Sequence, residues 1–150
     1  MSFCSIVVAV DGAEASQEAL DHAAYLARQC STKLAGIFIV DALWADFIGN
    51  DWQSSKGSRQ GFLDYIRKEQ EEQAMAAHAQ FERATQGMEL AEFSTLAGDP
   101  TAVLVAQATS DRTGILIVSR RVFQVSGRPS LKSLAVTLTK KASRPLLLFP

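Results

Sequence analysis

The sequence predicts an α/β protein built on an open parallel sheet with helices on both faces. Three observations carry this prediction. Apolar, β-branched runs at residues 5–10, 34–40, 114–118 and 145–149 suit strands covered on both sides. Segments of helical period separate the strands, giving the order β-α-β-(loop)-α-β-α-β-α-β, and strict alternation of this kind implies right-handed crossovers. Compact turn signals, Asp11-Gly12 and Gly98-Asp99-Pro100, punctuate the pattern.

The first strand, "SIVVAV", ends at Asp11-Gly12. Residues 13–29 follow as an amphipathic helix, with Ala19, Leu20, Ala23, Leu26 and Ala27 on one face. After the strand "LAGIFIV", residues 41–60 mix large apolar side chains (Leu43, Trp44, Phe47, Ile48, Trp52) with Gly, Asn and Ser. That mixture predicts a long loop with a helical turn, some of its aromatics folded back over the core. Residues 62–85 are strongly helical: Phe62, Leu63, Ile66, Ala74, Ala77, Phe81 and Ala84 form one stripe. The run "RKEQEE" lies on its solvated face, and Gly87 suits the position that closes the helix. A strand is expected within residues 90–96. Asp99 as N-cap and Pro100 at the first helical position open a helix over 101–109. The strand 114–118, an irregular segment, a helix over 131–142 and the strand "PLLLF" complete the chain.

Bulk properties narrow the function. The 150 residues make one ordinary domain with enough apolar content, 47%, for a real core. A net charge of −1 gives no electrostatic footprint for nucleic acid or a membrane surface. No apolar run reaches the roughly 20 residues of a bilayer span, and "MSFCSIVVAVDG" reads as a strand, not a signal peptide. Cys4 and Cys30 fit buried or half-buried thiols in a reducing cytoplasm. His22 and His78 sit on separate helices with no partner carboxylate at ligand spacing, which favours helix-face packing over metal binding.

In a sheet of this class a ligand sits beyond the carboxyl ends of the strands, where the strand order reverses. Asp11 and Ser119, at the tails of the first and fourth strands, should flank that crevice. Asp11 and Asp41 both follow strands and read as cap or turn residues. Beyond Ser119 the segment "RRVFQVSGRPSLKS" carries Arg120, Arg121, Arg128 and Lys132, with Ser130 or Ser133 placed to cap the following helix. Four cations there offer anion binding by side-chain charge; the plain alternative is solvated arginines on a loop.

Several stretches, in order, resemble the universal stress protein family. "SIVVAVDGAEASQEALDHAAYLA" is similar to its opening strand, Val-Asp-Gly turn and alanine-rich helix. "AGDPTAVLVAQA" resembles its Gly-x-Pro helix start, and "GILIVSRR" and "KASRPLLLF" its last two strands. The resemblance spans nearly all of residues 1–150, apart from 41–60. It implies a single-domain five-stranded parallel sheet in the order 3-2-1-4-5, a Rossmann-like fold of the adenine nucleotide α-hydrolase type. It also implies a homodimer through the edge strand Pro145, Leu146, Leu147, Leu148 and Phe149. An exposed apolar edge of that kind invites pairing, and a two-fold contact would satisfy it.

ATP-binding members of that family carry Gly-x-x-Gly, nine residues, then Gly-Ser or Gly-Thr. Aligned without gaps, the glycines fall at Ser119, Val122 and Lys132 and the hydroxyl at Ser133. All three glycines are replaced, while Asp11 matches the family's adenine-side aspartate. The resemblance thus assigns Asp11, Val40, Ser119, Arg120, Arg121, Val122, Lys132 and Ser133 to the nucleotide-site positions. Glycine lets backbone N–H groups approach a phosphate at positive φ; a left-handed Val122 would be strained by roughly 1–3 kcal/mol.

The reading that follows is a non-catalytic, cytoplasmic stress-response homodimer without tight ATP binding and with no cofactor. Its protein partners are unspecified; neither nucleic acid nor membrane is among them. The alternative is a regulatory switch holding ATP, AMP or a cyclic nucleotide between Asp11 and the basic loop. A ligase or ATPase of the wider fold ranks third, because no catalytic constellation accompanies the substituted loop.

Overall fold

The computed structural model describes residues 5–49, 56–123 and 133–150, Lys56 by its backbone alone. Five strands, β1 (Ile6–Ala9), β2 (Leu34–Asp41), β3 (Ala91–Gly98), β4 (Ile115–Ser119) and β5 (Leu146–Phe149), form one parallel sheet in the order β3-β2-β1-β4-β5. This is the predicted order, with β1 at the centre. The helices are α1 (Gln17–Cys30), α2 (Trp44–Ile48), α3 (Lys56–Ala84), α4 (Pro100–Thr109) and α5 (Leu134–Lys141). Helix α1 packs on α3, and α4 on α5, so each face of the sheet carries one pair. No helix among the described residues is long and apolar enough to cross a membrane.

The core is where the sequence places it. Residues Ile6 to Val10 are all buried, as are Leu34, Phe38, Leu116, Ile117 and Val118. Strands covered on both faces have no polar side to present, and for this reason their sequences do not alternate. Gly36 serves the packing directly: a Cβ there would lie 2.4 Å from the Phe81 ring, so the bare backbone lets α3 settle on β2.

Asp99 accepts a hydrogen bond from the Ala102 amide at 3.0 Å, with Pro100 at the start of α4, as expected. Ser133 caps α5 through the Val136 amide at 3.3 Å. Gly87 lies at φ +79 in the turn after α3. The segment before α1 is tighter than expected: residues Glu14–Ser16 form a 3-10 turn, and the α-helix starts at Gln17.

Three expectations are corrected. In the region 41–60 the expected helical turn is α2, but α3 begins at Lys56 rather than near Phe62, and residues 50–55 lie outside the described residues. Arg59 accounts for part of this: its Nε donates to the Gly49 carbonyl at 2.8 Å and a terminal nitrogen to Ala45 at 3.3 Å. Those bonds take up the last carbonyls of α2 and tie the two helices together. Helix α5 begins at Leu134; residue 131, where its start was expected, lies outside the described residues. Cys30, at the last turn of α1, is exposed rather than buried; Cys4 lies outside the described residues. His78 does have a carboxylate one turn away, Glu82 at 3.0 Å, while its ring stacks on Phe93 of β3 at 5.0 Å. His22 behaves as expected and packs its ring 5.4 Å from that of Phe149.

Candidate functional site

The crevice at the carboxyl end of the sheet is built around Asp11. Two residues past β1, it is 2% exposed and its side chain is fully engaged by the chain itself. Oδ1 accepts from the Ala13 amide and from the Ser16 hydroxyl, both at 2.9 Å. Oδ2 accepts from the Phe123 amide at 3.1 Å. The first of these bonds is an Asx turn, the local arrangement that makes Asp suit such a position. Asp41 makes the equivalent bond to the Leu43 amide at 3.1 Å, so both strand-end aspartates hold turns, as the sequence suggested.

Helix α3 supplies the second layer. Gln80, 4% exposed, accepts from the Gly12 amide at 3.1 Å through Oε1 and donates through Nε2 to the Ala13 carbonyl at 3.0 Å and to Gln17 Oε1 at 2.9 Å. Its Oε1 also lies 3.1 Å from the Ser16 hydroxyl. Ser16 in turn accepts from the Asp11 amide at 3.2 Å. A buried polar group is costly unless paired, and here Asp11, Ser16 and Gln80 pair with one another and with the turn. Gly12 sits at φ +77, pressed against α3.

The loop after β4 comes next. Ser119 is fully buried; its hydroxyl accepts from the Arg121 amide at 3.2 Å and its carbonyl from the Val122 amide at 3.1 Å. Arg120 donates its amide to the Phe149 carbonyl at 2.9 Å, which extends the β4–β5 ladder. With Phe123 bonded to Asp11, each of the four consecutive amides from Arg120 to Phe123 has an acceptor within the protein. The left-handed conformation expected to strain this loop falls one residue beyond Val122: Phe123 has φ +64. Its ring, 4% exposed, meets Phe38 edge-on at 5.9 Å.

The residues assigned to a nucleotide therefore separate into groups. Asp11, Ser119 and Val122 are brought together and buried. Val40 is half-buried on β2, paired with Ala97 of β3. Arg120 and Arg121 are exposed. Arg121 Nε donates to the Pro150 backbone oxygen at 3.3 Å. It also borders a shallow depression of about 340 Å³ that includes Glu14, Glu18, Asp21 and Phe149. The Ser133 hydroxyl is used as a helix cap. Arg128, Ser130 and Lys132 lie outside the described residues. No group of three or more His, Cys, Asp or Glu placed to hold a metal occurs among the described residues.

Three members of the site were missed in the sequence: Ser16, Gln80 and Phe123. Only Gln80 left a signal, since it stands one position before Phe81 on the buried side of an otherwise apolar stripe. Phe123 resembled any apolar residue after a strand.

The model of the universal stress protein family matches residues 3–150 of the chain. No curated protein matches it. Among solved structures, the universal stress protein UspA from Lactobacillus plantarum is 15% identical, with a TM-score of 0.71 over 100% of this chain and 99% of that one. A universal stress protein in complex with cAMP is 19% identical, with a TM-score of 0.62 over 97% of this chain and 96% of that one. The universal stress protein from Archaeoglobus fulgidus in complex with dAMP is 18% identical, with a TM-score of 0.61 over 100% of both chains. At these identities the likeness is one of fold.

Proposed function

The chain belongs to the universal stress protein family, and from that premise we propose that it is a non-catalytic stress-response module. It works as a homodimer and does not bind ATP tightly. One observation carries the ATP part of this reading. A phosphate site at a strand-to-helix loop is made of backbone N–H groups that are free to point at the anion. Here the amides of Arg120, Arg121, Val122 and Phe123 already donate to Phe149, Ser119 and Asp11. A triphosphate reaching this half of the loop would have to break those bonds before gaining its own. Replacement of the three family glycines by Ser119, Val122 and Lys132 supports the same reading.

Dimer formation is supported by the edge position of β5, a short apolar strand whose outer side has no strand partner among the described residues. The two-fold contact would join the Leu146–Phe149 strands of two copies, as the family resemblance implies.

The second reading is a regulatory switch that takes ATP, AMP or a cyclic nucleotide between Asp11 and the basic loop. In its favour, structures of the same fold hold cAMP and dAMP. Thermal unfolding with ATP separates the two. A ligand at a hundred times its Kd stabilises by about 2.7 kcal/mol, which moves Tm by roughly 5–10 °C in a chain of this size. We expect no such shift at millimolar ATP. A rise of that size, lost in Asp11→Asn, would overturn the first reading in favour of the second.

A further inference from the structure

Phe123 stands out once the polar layer is understood. A bulky residue at positive φ is a genuine conformational outlier and persists only when its surroundings hold it there. Two partners hold this one. Its amide donates to Asp11 Oδ2 at 3.1 Å, and its ring, nearly fully buried, meets Phe38 edge-on at 5.9 Å. The Asp11 carboxylate is aimed in advance, because Ala13 and Ser16 fix its other oxygen.

From this arrangement we infer that Phe123 is an internal ligand. It places an aromatic ring against Phe38 and an N–H donor on Asp11 at the carboxyl end of the central strand. A flat heteroaromatic ring with an adjacent N–H donor requires the same two partners, a hydrogen-bond acceptor beside an aromatic surface. The two occupants are mutually exclusive, so the crevice is closed by the chain itself. The inference rests on the reading that the wild-type chain does not hold ATP tightly. It supplies a different cause: occupation of the ring's place, rather than loss of the phosphate glycines alone.

The device is two-state in its energetics. The closed state includes a strained backbone at Phe123, released when the residue leaves. An external ring binds only the open fraction, and its apparent Kd is raised by the reciprocal of that fraction. If the open state holds about one molecule in a hundred, closure weakens binding about a hundredfold.

The test uses adenosine, which has the heteroaromatic ring and donor but no phosphate. Calorimetric titration compares the wild-type chain with Phe123→Gly, which removes the ring and leaves a residue at ease at φ +64. Adenosine should bind Phe123→Gly at least about tenfold more tightly than wild type. Phe123→Leu, which keeps more of the core filled, should gain several-fold and serves as the same test if the glycine variant does not fold by circular dichroism. A folded variant that binds adenosine no better than wild type would overturn the internal ligand and leave the functional reading standing. Tight ATP binding by the wild type would strike the functional reading and the internal ligand with it.

Discussion

Gly12 and Ala77 lie so close that a Cβ at Gly12 would stand 2.8 Å from the Ala77 amide nitrogen, and equally close to the Ala76 side chain. The turn that positions Asp11 is thus pressed directly on α3. Two separate costs follow for Gly12→Ala. A side chain at φ +77 is strained by roughly 1–3 kcal/mol, and crowding against helix backbone adds about 1–3 kcal/mol. Urea unfolding should show a loss of about 2–6 kcal/mol with an unchanged m-value. A loss within about 0.5 kcal/mol, typical of ordinary surface changes, would mean that α3 does not bear on the turn.

The Ser16–Gln80 contact predicts a coupling. Gln80→Ala removes the acceptor of the Gly12 amide and the donor to the Ala13 carbonyl, groups at the edge of a buried layer. The expected cost is about 1–3 kcal/mol. Ser16→Ala removes a donor to Asp11 in the same network. The double variant should lose less than the sum of the two, with a coupling of about 0.5–3 kcal/mol in a double-mutant cycle. Strict additivity would mean that the hydroxyl and the amide act independently.

The backbone of Phe123 predicts a reversal of the usual order of Ala and Gly. Elsewhere glycine is the less stable by roughly 0.5–1 kcal/mol, because it loses more chain entropy. At φ +64 an alanine meets the left-handed penalty of about 1–2 kcal/mol that glycine escapes. Both variants lose the buried ring, a cost of about 3–5 kcal/mol for Phe→Ala. Chemical denaturation should therefore find Phe123→Gly at least as stable as Phe123→Ala. Alanine more stable by about 1 kcal/mol would argue against a left-handed Phe123.

Parts of this structure could be read from the sequence because they depend on neighbours along the chain. The run "SIVVAV" declares a strand buried on both faces, and Asp99-Pro100 declares a helix start, each by local chemistry alone. Asp11 was legible as the residue past the central strand, though not its partners. Phe123 adopts its conformation because of a carboxylate 112 positions earlier, and no local pattern encodes that distance. The early start of α3 is similar: Lys56 to Gly61 includes Gly57, Ser58 and Gly61, poor helix formers, yet Arg59 anchors the turn to α2. Tertiary contacts outweighed propensity there. Gln80 left a positional signal beside Phe81, but its residue type worked against it, since glutamine on a helix usually faces solvent.

The proposed dimer makes a prediction specific to single backbone groups. Leu116 donates to the Pro145 carbonyl, and Arg120 to that of Phe149. In a parallel ladder alternate residues of a strand turn their backbone groups to the same side. Pro145, Leu147 and Phe149 therefore face β4, while the N–H and C=O groups of Leu146 and Leu148 face the open edge. Proline at position 148 removes one outward donor and leaves the β4 ladder whole; proline is tolerated on such edges for this reason. Light scattering should report a dimer for wild type and a monomer for Leu148→Pro, with the far-ultraviolet dichroism of the two alike. Leu147→Pro, which breaks the bond to β4 instead, should cost about 3 kcal/mol or more in unfolding. A dimer that survives Leu148→Pro unchanged would place the interface elsewhere than β5.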